Sequence, residues 1–206
     1  MTRIQLWNGD ICDLEVDAIV NPANPSLWMS TGVGGALKAA AGDEVEFAAI
    51  RHLPVSVGDA VVTSAGRLAA RLLIHAVSLD RDRRTSAGAI ETALRNTFAR
   101  AREYDVATIA LPALGTGVGG FPMDDAARIT VATVRDELQR SPGIESVILA
   151  IRGIVAYGAF ERALAAPVAL DIVADGSAND AANDAAAAAA AAGAAADLRS
   201  SQRVPA

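Results

Sequence analysis

The stretch Asn8–Gly42, NGDICDLEVDAIVNPANPSLWMSTGVGGALKAAAG, contains a β-branched apolar run, a glycine-rich loop and a helical pattern in that order. The run is Ala18–Val20 and the loop is Pro25–Lys38, and the helix is expected to open near Gly34 and to continue toward Ala41. A strand that passes through a tight loop into a helix is the repeating unit of parallel α/β sheets. The stretch therefore predicts an α/β fold.

The same alternation continues from Arg3 to about Ala166. Two helices are predicted from apolar residues at helical spacing, namely Ile90, Leu94, Phe98 and Ala101 in one, and Ala127, Val131, Val134 and Leu138 in the other. A further helix is expected over roughly Tyr157 to Ala165. The predicted strands are Ile4–Trp7, Ala18–Val20, Ala60–Thr63, Leu72–Val77, Ala107–Leu111 and Val147–Ile151. Several of these runs are continuously apolar, which favours a mostly parallel sheet with helices on both faces.

The composition changes near the C-terminal end of the sequence. The segment from Ala174 onward is rich in alanine, with an unbroken run from Ala185 to Ala192, and has few large apolar residues. Such a segment cannot bury enough apolar surface to offset the entropy of ordering. We predict a folded domain over residues 1–173, with Val168–Val173 as a possible last edge strand, and an alanine-rich disordered tail over residues 174–206.

Charge and cysteine content narrow the functional classes. The formal net charge is −6 and no basic stripe is visible, which argues against a protein that binds nucleic acid mainly through its backbone. Cys12 is the only cysteine, and with His52 and His75 it makes neither a disulfide framework nor a metal site, so we expect no metal and no cofactor. No run is long and apolar enough for a signal peptide or a membrane span, and we expect a cytoplasmic protein without membrane contact.

Two glycine-rich loops, Pro25–Lys38 and PALGTGVGGFP at Pro112–Pro122, each follow an apolar strand and precede a helix. Glycine lets backbone amides approach a ligand, and the N-terminus of the following helix adds partial positive charge. Together the loops could clamp a pyrophosphate despite the negative net charge. Two alternatives stay open. The glycines could serve tight turns only, or the second loop, whose glycines fit G-x-G-x-x-G, could belong to a dinucleotide-binding fold with Arg152 on a 2′-phosphate.

The quoted stretch closely resembles the opening of macro domains, which carry G-D-I, then V-D-A-I-V-N-x-A-N, then a G-V loop and A-A-G. The second loop resembles the second phosphate loop of that family in spacing and position. The resemblance covers about Arg3 to Ala166. It implies a three-layer α/β/α fold with a mixed, mostly parallel sheet, a macro domain over residues 1–173, and ADP-ribose or ADP-ribosylated macromolecules, protein or nucleic acid, as partners.

The resemblance also assigns site residues. It places Asp10 at the adenine amino group with Ile11 beside the ring, and Asn24 at the distal ribose with Asn21 supporting the loop. The phosphate contacts are Gly32, Val33 and Gly34 in the first loop and Thr116, Gly117, Val118 and Gly119 in the second, and Arg152 lies where many members stack an aromatic on adenine. Asp10 could instead cap a turn and the asparagines could be turn residues. We expect His75 to be structural, and Trp7, Phe121, Tyr157 and Phe160 to belong to the core.

The sequence departs from the family's catalytic patterns. MacroD-type members carry an aspartate and a histidine where this sequence has Gly34 and Lys38. A second branch pairs a lysine at the Lys38 position with a second-loop aspartate, and here that place is Gly119, which also replaces an aromatic that packs on the distal ribose. The candidate catalytic residues are therefore Asn24 and Lys38. Two functions remain: hydrolysis of ADP-ribosyl esters or related derivatives, or a non-catalytic reader of ADP-ribose.

Overall fold

The computed structural model of the chain describes residues 3–167, in which strands and helices alternate. The strands are β1 (Arg3–Trp7), β2 (Val16–Ala23), β3 (Ala60–Ser64), β4 (Ala70–Val77), β5 (Thr108–Leu111) and β6 (Ser146–Ala150). The helices are α1 (Gly32–Ala41), α2 (Glu44–Ile50), α3 (Ala87–Glu103), α4 (Met123–Arg140) and α5 (Ile154–Ala165), with a 3₁₀ turn at Ile11–Asp13. Each of the six strands predicted between Ile4 and Ile151 is present within a few residues of its expected bounds.

The six strands form one mixed sheet in the order β1-β6-β5-β2-β4-β3. Five strands are parallel, and β3 alone pairs antiparallel, with β4. The carboxyl ends of the five parallel strands therefore lie at one edge of the sheet, which is where open α/β sheets bind ligands. This order differs from the 3-2-1-4-5-6 order of dinucleotide-binding folds, so the G-x-G-x-x-G alternative does not hold.

Helices cover both faces of the sheet, as predicted. On β2, Ala18 and Val20 pack into a core with Phe98 of α3 and Phe160 of α5. The intervening Ile19 packs into a second core, which also contains residues of α1 and α2. Because neighbouring residues of a strand point to opposite faces, this alternation shows that β2 is buried from both sides.

Three details of the fold differ from expectation. Helix α2 was not predicted, since seven residues with two glutamates give too short an apolar stripe. Helix α5 begins at Ile154 rather than near Tyr157. Trp7 was expected in the core but is 42% exposed, because it ends the edge strand β1 and lies over Gly9. Phe160 is fully buried, as predicted, and Phe121 and Tyr157 are partly buried against the same core.

Three further expectations concern the C-terminal segments, membrane-spanning helices and metal sites. The predicted edge strand Val168–Val173 and the tail over residues 174–206 lie outside the described residues. Within residues 3–167, no helix combines the length and the apolarity needed to cross a membrane. The same residues contain no group of three His, Cys, Asp or Glu side chains placed to hold a metal ion.

Candidate ligand-binding site

A cleft opens at the carboxyl edge of the sheet, between the loops that follow β2, β4 and β5. We call it the glycine-loop cleft, and it is lined by Pro22, Asn24, Trp28, Ser30, Thr31, Gly32, Val33, Gly34, Leu79, Arg83, Ala113, Gly115, Gly117, Val118 and Gly119. Both glycine-rich loops thus face the same space. Six of the residues assigned from the sequence lie outside this lining, namely Asp10, Ile11, Asn21, Lys38, Thr116 and Arg152.

The first loop leads into α1, whose N-terminus lies at the glycine-loop cleft. The helix begins at Gly32, whose φ of +59° lies in the left-handed region that favours glycine. The residue before it, Thr31, makes no side-chain capping hydrogen bond. The first amides of a helix have no partner within the helix. An anion is therefore the natural partner for the amides at this helix start.

A buried carboxylate holds the first loop in place. Glu46 of α2, with a side chain only 2% exposed, accepts a hydrogen bond at Oε2 from the Met29 backbone amide at 2.6 Å. Its Oε1 accepts from the Lys38 ammonium group at 2.7 Å. Glu46 was not predicted as a site residue because α2 was not predicted. In the sequence Glu46 follows Asp43 and Glu44, and nothing in this acidic stretch shows which of the side chains is buried.

Lys38 forms an ion pair with the Glu46 carboxylate. The hydrogen bond and the charge of Glu46, with a further contribution from Asp43 at 3.5 Å, raise the pKa of the lysine above its usual value. The amine therefore carries its proton at neutral pH and has no free lone pair. Lys38 is also not among the residues that line the glycine-loop cleft. Lys38 is thus bonded to the same carboxylate that accepts from the Met29 amide of the first loop.

A buried polar chain fixes the orientation of Asn21. The Thr63 hydroxyl donates to the Ser64 carbonyl at 3.0 Å, so it accepts from Nε2 of His75 at 2.9 Å. Nδ1 of His75 then accepts from Nδ2 of Asn21 at 3.0 Å. Burial, with a smaller effect of His52, lowers the pKa of His75 to about 4, which keeps the ring neutral. His75 is structural, as predicted.

This chain leaves Oδ1 of Asn21 pointing at the first loop. The oxygen is buried and has no hydrogen-bond partner among residues 3–167, and a Cβ added at Gly34 would lie 3.0 Å from it. A side chain at Gly34, where MacroD-type proteins have their aspartate, would therefore press on Asn21. Asn24 lines the cleft, and its Oδ1 accepts from the amide and hydroxyl of Ser26 at 2.9 and 2.6 Å.

The second loop is a closed turn with no room for a side chain at Gly119. Gly115 has φ of +78°, and its carbonyl accepts from the Phe121 amide at 3.1 Å. A Cβ added at Gly119 would lie 2.7 Å from that carbonyl oxygen and 2.8 Å from Leu79. At Gly117, by contrast, an added Cβ meets nothing within 4 Å. Gly117 thus lines the cleft and has open space at its Cβ position.

Asp10 and Arg152 lie together beyond the cleft, after β1 and β6. Oδ1 of Asp10 accepts from the Cys12 amide at 3.0 Å, which is the main reason that the pKa of Asp10 is lowered. Oδ2 lies 3.8 Å from the Arg152 guanidinium, whose side chain is 82% exposed. Asp10 therefore does cap a turn, the alternative left open above, and its second oxygen faces an exposed cation. Ile11 beside it is buried at 6% exposure.

Several residues that line the cleft were not predicted from the sequence. The first loop contains three of them, Trp28, Ser30 and Thr31. They were not assigned because the resemblance to the family pointed to the glycines of that loop. Leu79 and Arg83 come from the loop between β4 and α3, which has no glycine signature. Arg83 adopts a φ of +63° at the rim. Only the sheet order brings that loop beside the other two.

The family model for the Macro domain matches residues 20–130. This chain belongs to the macro domain family. A protein of Mycobacterium tuberculosis strain H37Rv is 39% identical over 167 residues, which are 81% of this chain and 46% of that protein. This macro domain chain therefore spans about half the length of the curated relatives that it matches in mycobacteria.

Solved macro domain structures match the fold. An Oceanobacillus iheyensis macrodomain with ADP has a TM-score of 0.73 and 26% identity, covering 80% of this chain and 90% of that one. A Trypanosoma brucei macrodomain in complex with ADP-ribose has a TM-score of 0.73 and 25% identity, covering 78% and 68%. The three-layer arrangement expected from the resemblance is thereby confirmed.

Proposed function

We propose that this macro domain binds ADP-ribose and hydrolyses ADP-ribosyl esters or related ADP-ribose derivatives. The observation that carries the proposal is the convergence of two glycine-rich loops on one cleft, with the uncapped N-terminus of α1 facing it. Backbone amides and a helix dipole can hold a pyrophosphate without bulk positive charge. The net charge of −6 is therefore no obstacle to an anionic ligand.

From the order of strands we infer how ADP-ribose is oriented along the carboxyl edge of the sheet. We assign adenine to the end over β1 and β6, where Asp10 and Arg152 meet and Ile11 packs below. The pyrophosphate lies between the loops after β2 and β5, on Gly32, Val33, Gly34, Thr116, Gly117, Val118 and Gly119. The distal ribose lies toward β4, at Asn24, with Asn21 supporting the first loop from beneath. ADP-ribose linked to protein or nucleic acid would leave the cleft at that end.

The proposed reaction is the attack of water on an ADP-ribosyl ester, which yields ADP-ribose and the free carboxylic acid. Lys38 is not its nucleophile, because its amine is protonated and paired with Glu46. The available contributions are positioning of the distal ribose by Asn24 and electrostatic stabilisation by the amides of the two loops. We assign Lys38 a positioning role through Glu46 and the Met29 amide.

One observation favours the alternative, a reader that binds ADP-ribose without chemistry. Glycine occupies both positions at which other macro domains carry a catalytic acid, Gly34 and Gly119. The surroundings of both glycines leave little or no space for a side chain. An active enzyme would have to rely on a water oriented by the ligand and the loops.

The deciding experiment uses three substrates in parallel: a glutamate-linked, an arginine-linked and a DNA-linked ADP-ribosyl group. Release of free ADP-ribose is measured by chromatography, and binding of ADP-ribose by titration calorimetry. We expect binding and release from the glutamate-linked ester. If ADP-ribose binds but is not released from any of the three substrates, the protein is a reader without hydrolase activity. If ADP-ribose does not bind, neither proposed function holds.

A further inference from the structure

Trp28 is an exposed aromatic side chain inside the ligand cleft. It is 60% exposed, whereas the residues on either side, Leu27 and Met29, are 1% and 2% exposed. Trp28 is also the one aromatic residue among those that line the glycine-loop cleft in the described part of the chain. An indole left in solvent within a binding cleft is a large apolar surface without a protein partner.

The backbone around Trp28 is held so that the side chain points away from the core. Leu27 adopts φ of +58°, and its amide donates to the Asn24 carbonyl at 2.9 Å. The Trp28 amide lies 3.3 Å from the Ser26 hydroxyl, and the Met29 amide donates to buried Glu46. With both neighbours anchored in the core, the strand-to-helix loop presents Trp28 in a fixed place. Preorganisation of this kind lowers the entropy lost on binding.

The position of Trp28 selects the part of the ligand that it can touch. Trp28 follows β2, the strand next to β4, and lines the cleft together with Leu79 and Arg83 from the loop after β4. Asp10 follows β1, which β6 and β5 separate from β2. The second loop can offer no ring at this end, because a side chain at Gly119 would collide with the Gly115 carbonyl and Leu79. Among the described residues that line the cleft, the ring on which a sugar at this end can pack is therefore Trp28 of the first loop.

We propose that Trp28 forms the platform for the distal ribose of ADP-ribose and makes the cleft select ADP-ribose over ADP. This inference rests on the proposed ADP-ribose binding. The indole face packs on the C–H face of the sugar, and the sugar hydroxyls remain free to reach Asn24. ADP lacks this second ribose and gains nothing from the indole.

The test compares wild type, Trp28→Ala and Trp28→Phe by titration calorimetry with ADP-ribose and with ADP. We expect Trp28→Ala to weaken ADP-ribose binding roughly tenfold, the size expected for loss of one well-packed ring. ADP affinity should not change, and Trp28→Phe should restore most of the loss. Because the side chain is exposed, Trp28→Ala should unfold at the wild-type temperature.

Fluorescence gives an independent readout, since the only other tryptophan is Trp7. In a Trp7→Phe background, ADP-ribose should change the emission of Trp28, and ADP should leave it nearly unchanged. Equal losses of both ligands in Trp28→Ala, no loss of either, or a Trp28 signal that does not distinguish them would overturn the assignment. If wild type binds neither ligand, the proposed function fails before the Trp28 assignment is reached.

Discussion

The carboxylate of Asp10 has two oxygens with separate roles, one on the Cys12 amide and one beside Arg152. We expect Asp10→Ala to weaken ADP-ribose binding by about 10- to 100-fold, because a hydrogen bond to a charged acceptor contributes roughly 1.5–3 kcal/mol. Titration calorimetry measures the loss. Asp10→Asn is the matched control, since it keeps the acceptor for the cap but loses the charge. Unchanged affinity in a folded Asp10→Ala protein would remove the adenine assignment.

Lys38 and Asn24 should respond differently to substitution. Lys38→Ala should keep at least about a tenth of any hydrolase activity, because the amine does not act on the sugar. Asn24→Ala should lose much more, since it misplaces the distal ribose and a small misplacement can cost about 100-fold. Borohydride added during turnover should trap no adduct on Lys38. An adduct, or loss of all activity in Lys38→Ala with binding intact, would instead make the lysine a nucleophile.

Lys38→Ala should also lower the thermal midpoint, because it leaves the buried Glu46 carboxylate without its cation. The double variant Lys38→Ala with Glu46→Gln removes that charge and should recover part of the midpoint. If Lys38→Ala unfolds at the wild-type temperature, Glu46 does not need the lysine.

His75 gives the protein a pH-dependent stability of known sign. Its pKa is lowered to about 4 in the folded state, against about 6.5 when unfolded, so the unfolded chain binds the proton first as pH falls. The free energy of unfolding should therefore decrease between about pH 6.5 and pH 4, by up to about 3 kcal/mol. Denaturant unfolding should show a flatter pH dependence in His75→Gln, whereas His52→Gln, which removes only the smaller cause of the lowered His75 pKa, should keep most of the wild-type slope. Equal slopes in all three proteins would contradict this account.

For single residues, the sequence indicated the kind of role of a side chain but not the side chains to which it is hydrogen-bonded. His75 was expected to be structural from its apolar run, but Asn21 and Thr63 come from other strands, and no pattern along the chain reveals the hydrogen bonds that join them. Lys38 looked like half of a catalytic pair for the same reason. Its partner Glu46 lies eight residues away, on the next helix, and only tertiary packing shows that this glutamate is buried.

At the scale of single elements, the second loop offers a matched pair of glycines. Gly117 has open space at its Cβ position, so Gly117→Val should fold with an unchanged thermal midpoint and lose at least about tenfold in ADP-ribose affinity, because the side chain occupies the phosphate position. Gly115 has positive φ and a Cβ position 2.8 Å from Ile90, so Gly115→Ala should unfold at lower temperature. Differential scanning fluorimetry and calorimetry separate the two effects. Tight binding by Gly117→Val would exclude Gly117 from the phosphate site.

The elements themselves were largely predictable. Strands buried on both faces read as apolar runs, and α3 and α4 are long enough to show a helical stripe. The short helix α2 could not be predicted from the sequence. It is stabilised mainly by the packing of Val45 and Ala49 against α1 and β3 rather than by its own helical propensity. The loop with Arg83 was missed since nothing local marks it as part of a site.

For the whole molecule, we predict that removal of residues 174–206 leaves both the thermal midpoint and the ADP-ribose affinity nearly unchanged. The segment is rich in alanine and carries few large side chains, so it has little apolar surface to bury. A chain ending at Val173 tests this by thermal unfolding and calorimetry. A midpoint lower by more than a few degrees would show that the segment packs on the domain.

The order of strands could not be read from the alternation of strands and helices. That pattern predicts a parallel sheet, but several orders satisfy it, and the cleft exists only in an order that brings the loops after β2, β4 and β5 together. The resemblance of two glycine-rich motifs supplied what the pattern lacked. It could not supply Trp28, because the ring lies between Asn24 and Gly32, in a stretch to which the resemblance assigned no role.

The pairing of β1 with β6 has a consequence for how the domain is made. Among the strands of residues 3–167, β1 pairs with β6 alone, and Arg3 lies opposite Ser146. During synthesis, β1 leaves the ribosome long before its partner and must wait with its edge unpaired until residues 146–150 emerge. Contacts between such distant segments slow folding and expose the chain to misassembly. Because Asp10 follows β1 directly, the adenine end of the site is the last part that can be completed on a growing chain.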